Sequence, residues 1–261
     1  QIIEDLKLID IVIEILDARI PISSQNPDIN KLIQNKKRII VLNKSDLSDK
    51  KQNEKWITYF KQKDYQAILV DSNSGKGIKE CLSAIKKLYE SDTYIEKGRI
   101  GKSIRVMILG IPNVGKSSFI NRISKKTSAQ VGNKPGVTKG KQWIRLSKSV
   151  ELLDTPGILW PKFEDQTVGL RLAFIGSIKD EILQRVEIAL DLIEYLKEAY
   201  PGTLASQYGI EESNGSAAML EEIGNVRKCI KKGTEIDYEK TAALILDDFR
   251  SSKLGLISLE T

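Results

Sequence analysis

Histidine is absent from all 261 residues, and cysteine occurs twice, at Cys81 and Cys229. Histidine-based acid–base catalysis within this chain and zinc fingers are thereby excluded. The two thiols lie far apart on helix-like segments and read as buried cysteines of a reducing cytoplasm, not as a disulfide or a ligand pair. No apolar run approaches the roughly eighteen residues of a membrane span; the most apolar stretches, such as VMILGI at 106–111, have strand length. A charged-then-apolar leader with a small-residue cleavage site is also missing, so neither secretion nor a membrane partner is expected. The first residue is Gln1, not Met, which reads as a fragment lacking its natural start.

Charge of one sign is unevenly spread. The net charge is +6, with Lys outnumbering Arg about threefold and Ile and Asn abundant. An AT-rich genome produces the same bias, so the total says little. The distribution says more: residues 1–175 carry 31 Lys+Arg against 19 Asp+Glu (+12), while 176–261 carry 10 against 16 (−6). That difference predicts two domains, 1–175 and 176–261, the first able to face a polyanion.

Short apolar runs, IVIEIL at 11–16, RIIVL at 38–42, AILV at 67–70, IRVMILG at 104–110 and VELL at 150–153, alternate with amphipathic stretches. Trp56, Ile57 and Phe60 share one helical face, as do Ile78, Leu82, Ile85 and Leu88, and then Phe119, Ile120 and Ile123. The alternation predicts an α/β fold: a mainly parallel, doubly wound sheet with helices on both faces. After Pro161 the strand signals stop. One long helix is expected over 178–199, with Ile182, Val186, Ala189, Ile193 and Leu196 inward, broken by Pro201-Gly202. Two more follow near 216–231 and 238–252, the latter N-capped by Asp237, which makes the second domain all-helical.

Gly110-Ile111-Pro112-Asn113-Val114-Gly115-Lys116-Ser117 fits G-x-x-x-x-G-K-[ST] between a strand and a helix. In such a loop, backbone N–H groups of residues such as Gly110, Asn113, Val114, Gly115 and Ser118 curl around phosphate oxygens at a helix N-terminus, while Pro112 contributes shape but no donor. Lys116 would bridge the β- and γ-phosphates and the Ser117 hydroxyl would ligate Mg²⁺. Chance alone would give such a match in roughly one chain in a hundred, and the strand–loop–helix context lowers those odds. Asp154-Thr155-Pro156-Gly157 follows a strand and matches D-x-x-G. Asp154 would hold Mg²⁺ through water, and the Gly157 N–H would sense the γ-phosphate. Thr138, within NKPGVTKGKQW at 133–143, is the candidate switch threonine that reaches Mg²⁺ when the γ-phosphate is present.

Base choice falls to Asn43-Lys44-Ser45-Asp46. Guanine offers two adjacent donors that one carboxylate accepts, whereas adenine would leave Asp46 facing an acceptor. Such a site discriminates by ~10⁴-fold or more. The Lys44 stem can lie over the base, and Asn43 can tie this loop to the phosphate loop. Ser72 and Asn73, in DSN before GKG, supply the loop whose backbone N–H reads guanine O6.

The base readers at 43–46 and 71–73 precede the phosphate and switch elements at 110–117, 138 and 154–157, the reverse of the usual order. All sit at the carboxyl ends of strands, where a parallel sheet forms its crevice. Rotating the order preserves that crevice if the old termini are joined, and 91–103 (SDTYIEKGRIGKS) reads as the joint. The chain reads as a circularly permuted GTPase. With Asp17-Ala18-Arg19-Ile20-Pro21 after the first strand, PGVT at 135–138, DTPGIL at 154–159 and the ending DDFRSSKLG at 247–255, it resembles the ribosome biogenesis GTPase A family along its whole length. The resemblance implies a cytoplasmic bacterial GTPase, monomeric, that binds the maturing large ribosomal subunit and its rRNA and leaves after hydrolysis.

Many GTPases place a water-orienting glutamine after D-x-x-G; here Ile158 stands there and cannot hydrogen-bond. Lys116, Ser117, Asp154 and Thr138 leave charge stabilisation in place, so turnover should be slow alone and faster on the ribosomal particle. Resemblance to GTPases with this loop pattern implies that Asn113 helps bind K⁺ where an arginine finger would lie. It also implies a catalytic histidine in an N-terminal segment that this sequence does not contain. Lys134, Lys139, Lys141, Arg145 and Lys148 near the switch, and Arg227, Lys228, Lys231 and Lys232 in the helical part, are the candidate RNA contacts. The alternatives are a permuted GTPase of the small subunit, a metabolic P-loop kinase or ATPase, and a nucleotide-binding scaffold with negligible hydrolysis. Small-subunit members typically carry a zinc-binding Cys/His cluster, which this composition cannot supply. Asp46 and the lack of a second substrate site oppose the kinase.

Overall fold

The computed structural model describes residues 2–33, 36–90, 103–126, 142–147, 149–155, 157, 165–178 and 184–261. They divide into two compact units, residues 1–162 with 258–261, and residues 163–257.

In the first unit the described elements run α1 (Ile2–Leu6), β1 (Ile11–Asp17), α2 (Pro27–Leu32), β2 (Lys37–Asn43), α3 (Lys50–Gln62), β3 (Gln66–Val70), α4 (Ile78–Glu90), β4 (Ile104–Leu109), α5 (Lys116–Lys126), β5 (Gln142–Ser147) and β6 (Val150–Asp154). They build one six-stranded sheet in the order β3-β2-β1-β4-β6-β5. Every pairing is parallel except β5 against β6. β1 is buried at all seven positions, as a central strand covered on both faces must be, which is why its sequence is nearly continuous in apolar residues. On one face Leu16, Ile40 and Leu42 pack with Phe60, against which Trp56 and Ile57 lie partly buried, as their helical spacing predicts. Phe119, Ile120 and Ile123 of α5 are likewise buried. In α4 the buried face is Ile78, Cys81, Ala84 and Ile85.

Chain order makes β1 a switch point. The chain moves outward from β1 through β2 to β3, then returns to place β4 on the other side of β1. The carboxyl ends of the parallel strands all lie at one rim, and a crevice opens where the winding reverses. The antiparallel edge strand β5 was not foreseen: QWIRLS mixes polar and apolar residues in a way that resembles a loop, and Trp143 is in fact exposed.

The last four residues belong to the first unit and not to the helical one. Leu259 N–H donates to Arg19 O (2.9 Å), Asp49 N–H donates to Ser258 Oγ (3.1 Å), and the Glu260 carboxylate accepts from the backbone N–H of Ile22 (2.7 Å) and Ser23 (2.9 Å) and from the Ser23 hydroxyl.

The second unit holds α6 (Gln166–Phe174), α7 (Arg185–Ala199), α8 (Thr203–Tyr208), α9 (Ser216–Val226) and α10 (Tyr238–Arg250). The break falls at 162/163, not at the expected 175/176, because α6 packs with α7 and α10. Phe174 meets Phe249 edge-on at 6.4 Å, and the Arg250 guanidinium donates to Ala173 O and Phe174 O, both at 2.9 Å. Ala189, Ile193 and Leu196 are buried as expected, joined by Leu192. The helix containing them begins at Arg185, after a non-helical N-cap at Gln184, and not at the expected 178, where the chain bends; Ile182 lies outside the described residues. Asp237 caps α10 by accepting from Lys240 N–H (3.1 Å). Both cysteines are free and buried, and burial pushes the Cys81 thiol up to about 12. Among the described residues no helix is long and apolar enough to cross a membrane.

Candidate functional site: a guanine-nucleotide crevice

The crevice begins with two glycine contacts that no other residue could make. Gly110 follows β4 with φ +158°, and a Cβ there would lie 2.6 Å from Ile15 O of β1. Gly115, at φ +93°, would drive its Cβ into the Asn43 amide. Only a bare backbone lets the phosphate loop lie this close to β1 and to the loop after β2.

Asn43 joins three loops. Its side chain is 1 % exposed, and Nδ2 donates to Val114 O at 2.7 Å while Oδ1 accepts from Ser72 Oγ at 2.7 Å. Arg122, on the helix that follows the phosphate loop, donates from Nε to Ser72 O at 3.0 Å. Elements separated by as many as 71 residues thus meet at one amide. Asp46 is exposed overall in the turn after Asn43, but partial desolvation of its carboxyl raises its pKa. Asn73 N–H donates to Asp71 Oδ1 (2.8 Å), which shapes the loop after β3.

Lys44 adopts the left-handed region (φ 58°) and is anchored by Asp17. Asp17 ends β1 in register with Asn43 and is fully buried. Its Oδ1 accepts from Arg19 N–H (3.1 Å) and Nε (2.9 Å), and its Oδ2 from Arg19 Nη2 (2.8 Å) and Lys44 Nζ (3.0 Å). Burial opposes ionisation, but the Arg19 guanidinium and Lys44 ammonium hold the carboxyl well below the usual range. This support for Lys44 was not inferred from the sequence, where Asp17 and Arg19 entered only through a family motif. A signal was present: a carboxylate closing an otherwise apolar central strand needs a cation.

Lys116 opens α5 and is buried. Its Nζ donates to Gly110 O (3.0 Å) and Ile111 O (2.8 Å). Burial lowers its pKa to about 8, opposed by the nearby Asp154. Asp154, 6 % exposed, closes β6 opposite Ile108, and the Thr155 hydroxyl donates to Ile108 O (2.7 Å). A Cβ on Gly157 would stand 2.8 Å from Lys116 Nζ and 2.9 Å from Pro112 N, so the D-x-x-G glycine touches the phosphate loop. The Ser117 hydroxyl and the buried Asp154 carboxylate are hard oxygen donors of the kind Mg²⁺ takes alongside substrate phosphates, so the residues fit that ion. When bound, it would neutralise charge on the β- and γ-phosphates. Asn113 stands exposed at φ 61°, and Ser118 is exposed on α5. Thr138 and Ile158, with Lys134, Lys139, Lys141, Lys148 and most of the 91–103 joint, lie outside the described residues.

This arrangement can hold a purine ring between the loops after β2 and β3 while the loop after β4 holds its phosphates. Residues 105–219 match the family described as 50S ribosome-binding GTPase. The whole chain is 47 % identical to ribosome biogenesis GTPase A of Bacillus cereus, over 89 % of that protein, and 31 % identical to its namesake in Thermotoga maritima, also over 89 %. Among solved structures, GNP-bound YlqF from T. maritima superposes over 100 % of this chain and 96 % of its own, with a TM-score of 0.71 at 30 % identity. The GDP-bound YlqF structure gives the same TM-score at 27 % identity, over 98 % of its length. The chain is a GTPase whose motif order is rotated, and it belongs to the ribosome biogenesis GTPase A family.

Proposed function

We propose that this GTPase is an assembly factor for the bacterial large ribosomal subunit, binding the immature particle and its rRNA in one nucleotide state and leaving in the other. The observation that carries the reading is whole-length similarity to relatives named for ribosome biogenesis, joined to a guanine crevice whose separate loops converge on Asn43. In this reading Asn43, Lys44, Asp46, Ser72 and Asn73 hold guanine. Gly110, Pro112–Ser118 and Gly157 surround the phosphates, and Ser117, Asp154 and Thr138 hold Mg²⁺. Lys116 and Thr138 stabilise charge on the transferring phosphoryl group, and K⁺ sits by Asn113. The protein works in the cytoplasm as a monomer. With an alkyl side chain at Ile158, turnover alone is slow and the particle speeds it.

Co-sedimentation with separated large and small ribosomal particles, in GTP, GDP and a non-hydrolysable analogue, tests this. Nucleotide-dependent pelleting with the large particle is expected. Pelleting with the small particle alone would replace the assignment by a small-subunit role, and single-turnover hydrolysis unchanged by either particle would leave a scaffold.

A further inference from the structure

At the opposite rim of the sheet from the guanine crevice, the first unit contains a cavity of about 400 Å³ that the GTPase reaction does not use. Its walls include Lys31, Lys36, Arg38, Tyr59, Lys63 and Tyr65, and among the described residues no carboxylate lines it. Lys36 and Arg38 stand at the amino end of β2, Lys63 caps the carboxyl end of α3, and Tyr65 immediately precedes β3. A seven-residue strand is about 20 Å long, so a ligand here would not meet one bound beside Asn43.

The four cations are not equivalent. Arg38 is paired with the buried Glu14 of β1 and lies over the Tyr65 ring at 5.1 Å from its centroid. It is a fixed part of the wall. Lys36 Nζ donates one hydrogen bond, to Ile9 O (2.9 Å), and keeps further donors. Lys63 Nζ lies 4.5 Å from the Tyr59 ring centroid, and Lys31 is exposed at the end of α2. Among the described residues no carboxylate pairs with Lys31, Lys36 or Lys63. Three unneutralised ammonium groups around one cavity repel each other, and the partial negative charge at the end of α3 offsets little of that. An anion relieves the repulsion. Tyr59 and Tyr65, each with a cation already over one side of its ring, add aromatic surface that phosphate does not need and that a nucleobase can contact. The volume falls within the range of pockets that enclose small ligands, and a base held in a duplex stack could not enter.

We infer that this cavity receives one unstacked nucleotide of single-stranded RNA, its base against Tyr59 and Tyr65 and its flanking phosphates on Lys31, Lys36 and Lys63. The inference rests on the RNA-binding reading above and supplies it with a surface that stays available whichever guanine nucleotide is bound.

The test uses the full chain saturated with GDP, which blocks the guanine crevice, and the anisotropy of an end-labelled unstructured ribododecamer across a salt series. Lys31→Glu with Lys63→Glu should weaken binding at least tenfold and flatten the log K against log salt slope by about 1.4, the share of two phosphate contacts. The double arginine variant should keep both. Equal losses in the glutamate and arginine variants would indicate damaged folding at these positions and overturn the inference, as would an unchanged slope or a wild type that ignores the oligonucleotide. Titration with inorganic pyrophosphate separates the sources of the anion: a pocket that takes pyrophosphate while refusing the ribododecamer is an anion site, and the RNA inference falls. Particle sedimentation keeps the two proposals apart. If the glutamate variant pellets with large particles at the wild-type salt dependence, the cavity is not the contact although the function stands. If the wild type binds the ribododecamer through these lysines yet pellets with neither particle, the assembly function fails and the cavity stands.

Discussion

Asn43 Nδ2 lies 2.7 Å from Val114 O, so the loop after β2 and the loop after β4 share a buried hydrogen bond. The same amide accepts from Ser72, and its close approach is what forbids a side chain at Gly115. Asn43→Ala removes both bonds and strands a buried carbonyl and hydroxyl, each worth about 1–3 kcal/mol. GTP affinity is expected to fall by ~10- to 100-fold in a fluorescent-nucleotide titration. Gly115→Ala should be severe alone but less so in the Asn43→Ala background, since the clash is gone while the strain of φ +93° remains. Strict additivity in that double-mutant cycle would mean the two residues do not touch.

Asp17 holds two cations in a buried site, and removing its charge takes from both the carboxylate that faces them. Asp17→Asn should destabilise the first unit by about 3–5 kcal/mol in denaturant titrations. The pH dependence has a definite sign. Because the folded carboxyl is held below its ordinary value, its contribution is complete above an unfolded pKa near ~3.9 and is lost as pH falls from there toward the folded value. The stability gap between wild type and Asp17→Asn should therefore be constant from neutrality to mild acid and shrink below about pH 4. A gap that closes at higher pH would point to another carboxylate.

The framework of the crevice was legible because close backbone approach constrains local sequence: Gly110, Gly115 and Asn43 are set by contacts between neighbouring loops, which short motifs record. The parallel core was legible in the buried runs of β1, β2 and β4. What escaped were relations set by distant partners. Glu14 in IVIEIL reads as a flaw in a strand until Arg38 of β2 is seen against it. Nothing local in SLE at 258–260 tells that Glu260 caps the turn at Ile22 and Ser23. Charge balance placed the domain break late, because it registers composition and not the packing of α6 on α7 and α10.

Asp46 carries the choice of base in the proposed site. Asp46→Asn replaces two acceptor positions by one acceptor and one donor, which suits xanthine's carbonyl in place of guanine's amine. Competition binding should show the ~10⁴-fold class of discrimination for GTP lost and xanthosine triphosphate preferred. Retained GTP preference would place base reading elsewhere.

Lys116 titrates within an accessible range. Burial brings it to about 8, and a bound triphosphate would favour the ammonium form, so binding takes up a proton when the free protein is partly neutral. GTP affinity should be flat below about pH 7 and decline as pH passes 8. Calorimetry in buffers of different ionisation enthalpy should register the proton uptake near pH 8 and none near pH 6.5. Proton release, or uptake that persists unchanged in Lys116→Met, would assign the titration to another group.

Asn113 has two competing explanations that one substitution separates. Its backbone is left-handed at φ 61°, where asparagine is tolerated for its own sake, and its exposed side chain carries an amide oxygen of the kind that would ligate K⁺ in the proposed site. Asn113→Gly preserves the backbone geometry and removes that oxygen. If K⁺ acts here, wild-type turnover in KCl should exceed that in NaCl at equal ionic strength, and the ratio should fall to one in Asn113→Gly. A wild-type ratio of one already removes K⁺ from the mechanism. A ratio that survives the glycine variant keeps the ion but assigns its ligand to a different residue, leaving asparagine at 113 only to shape the turn.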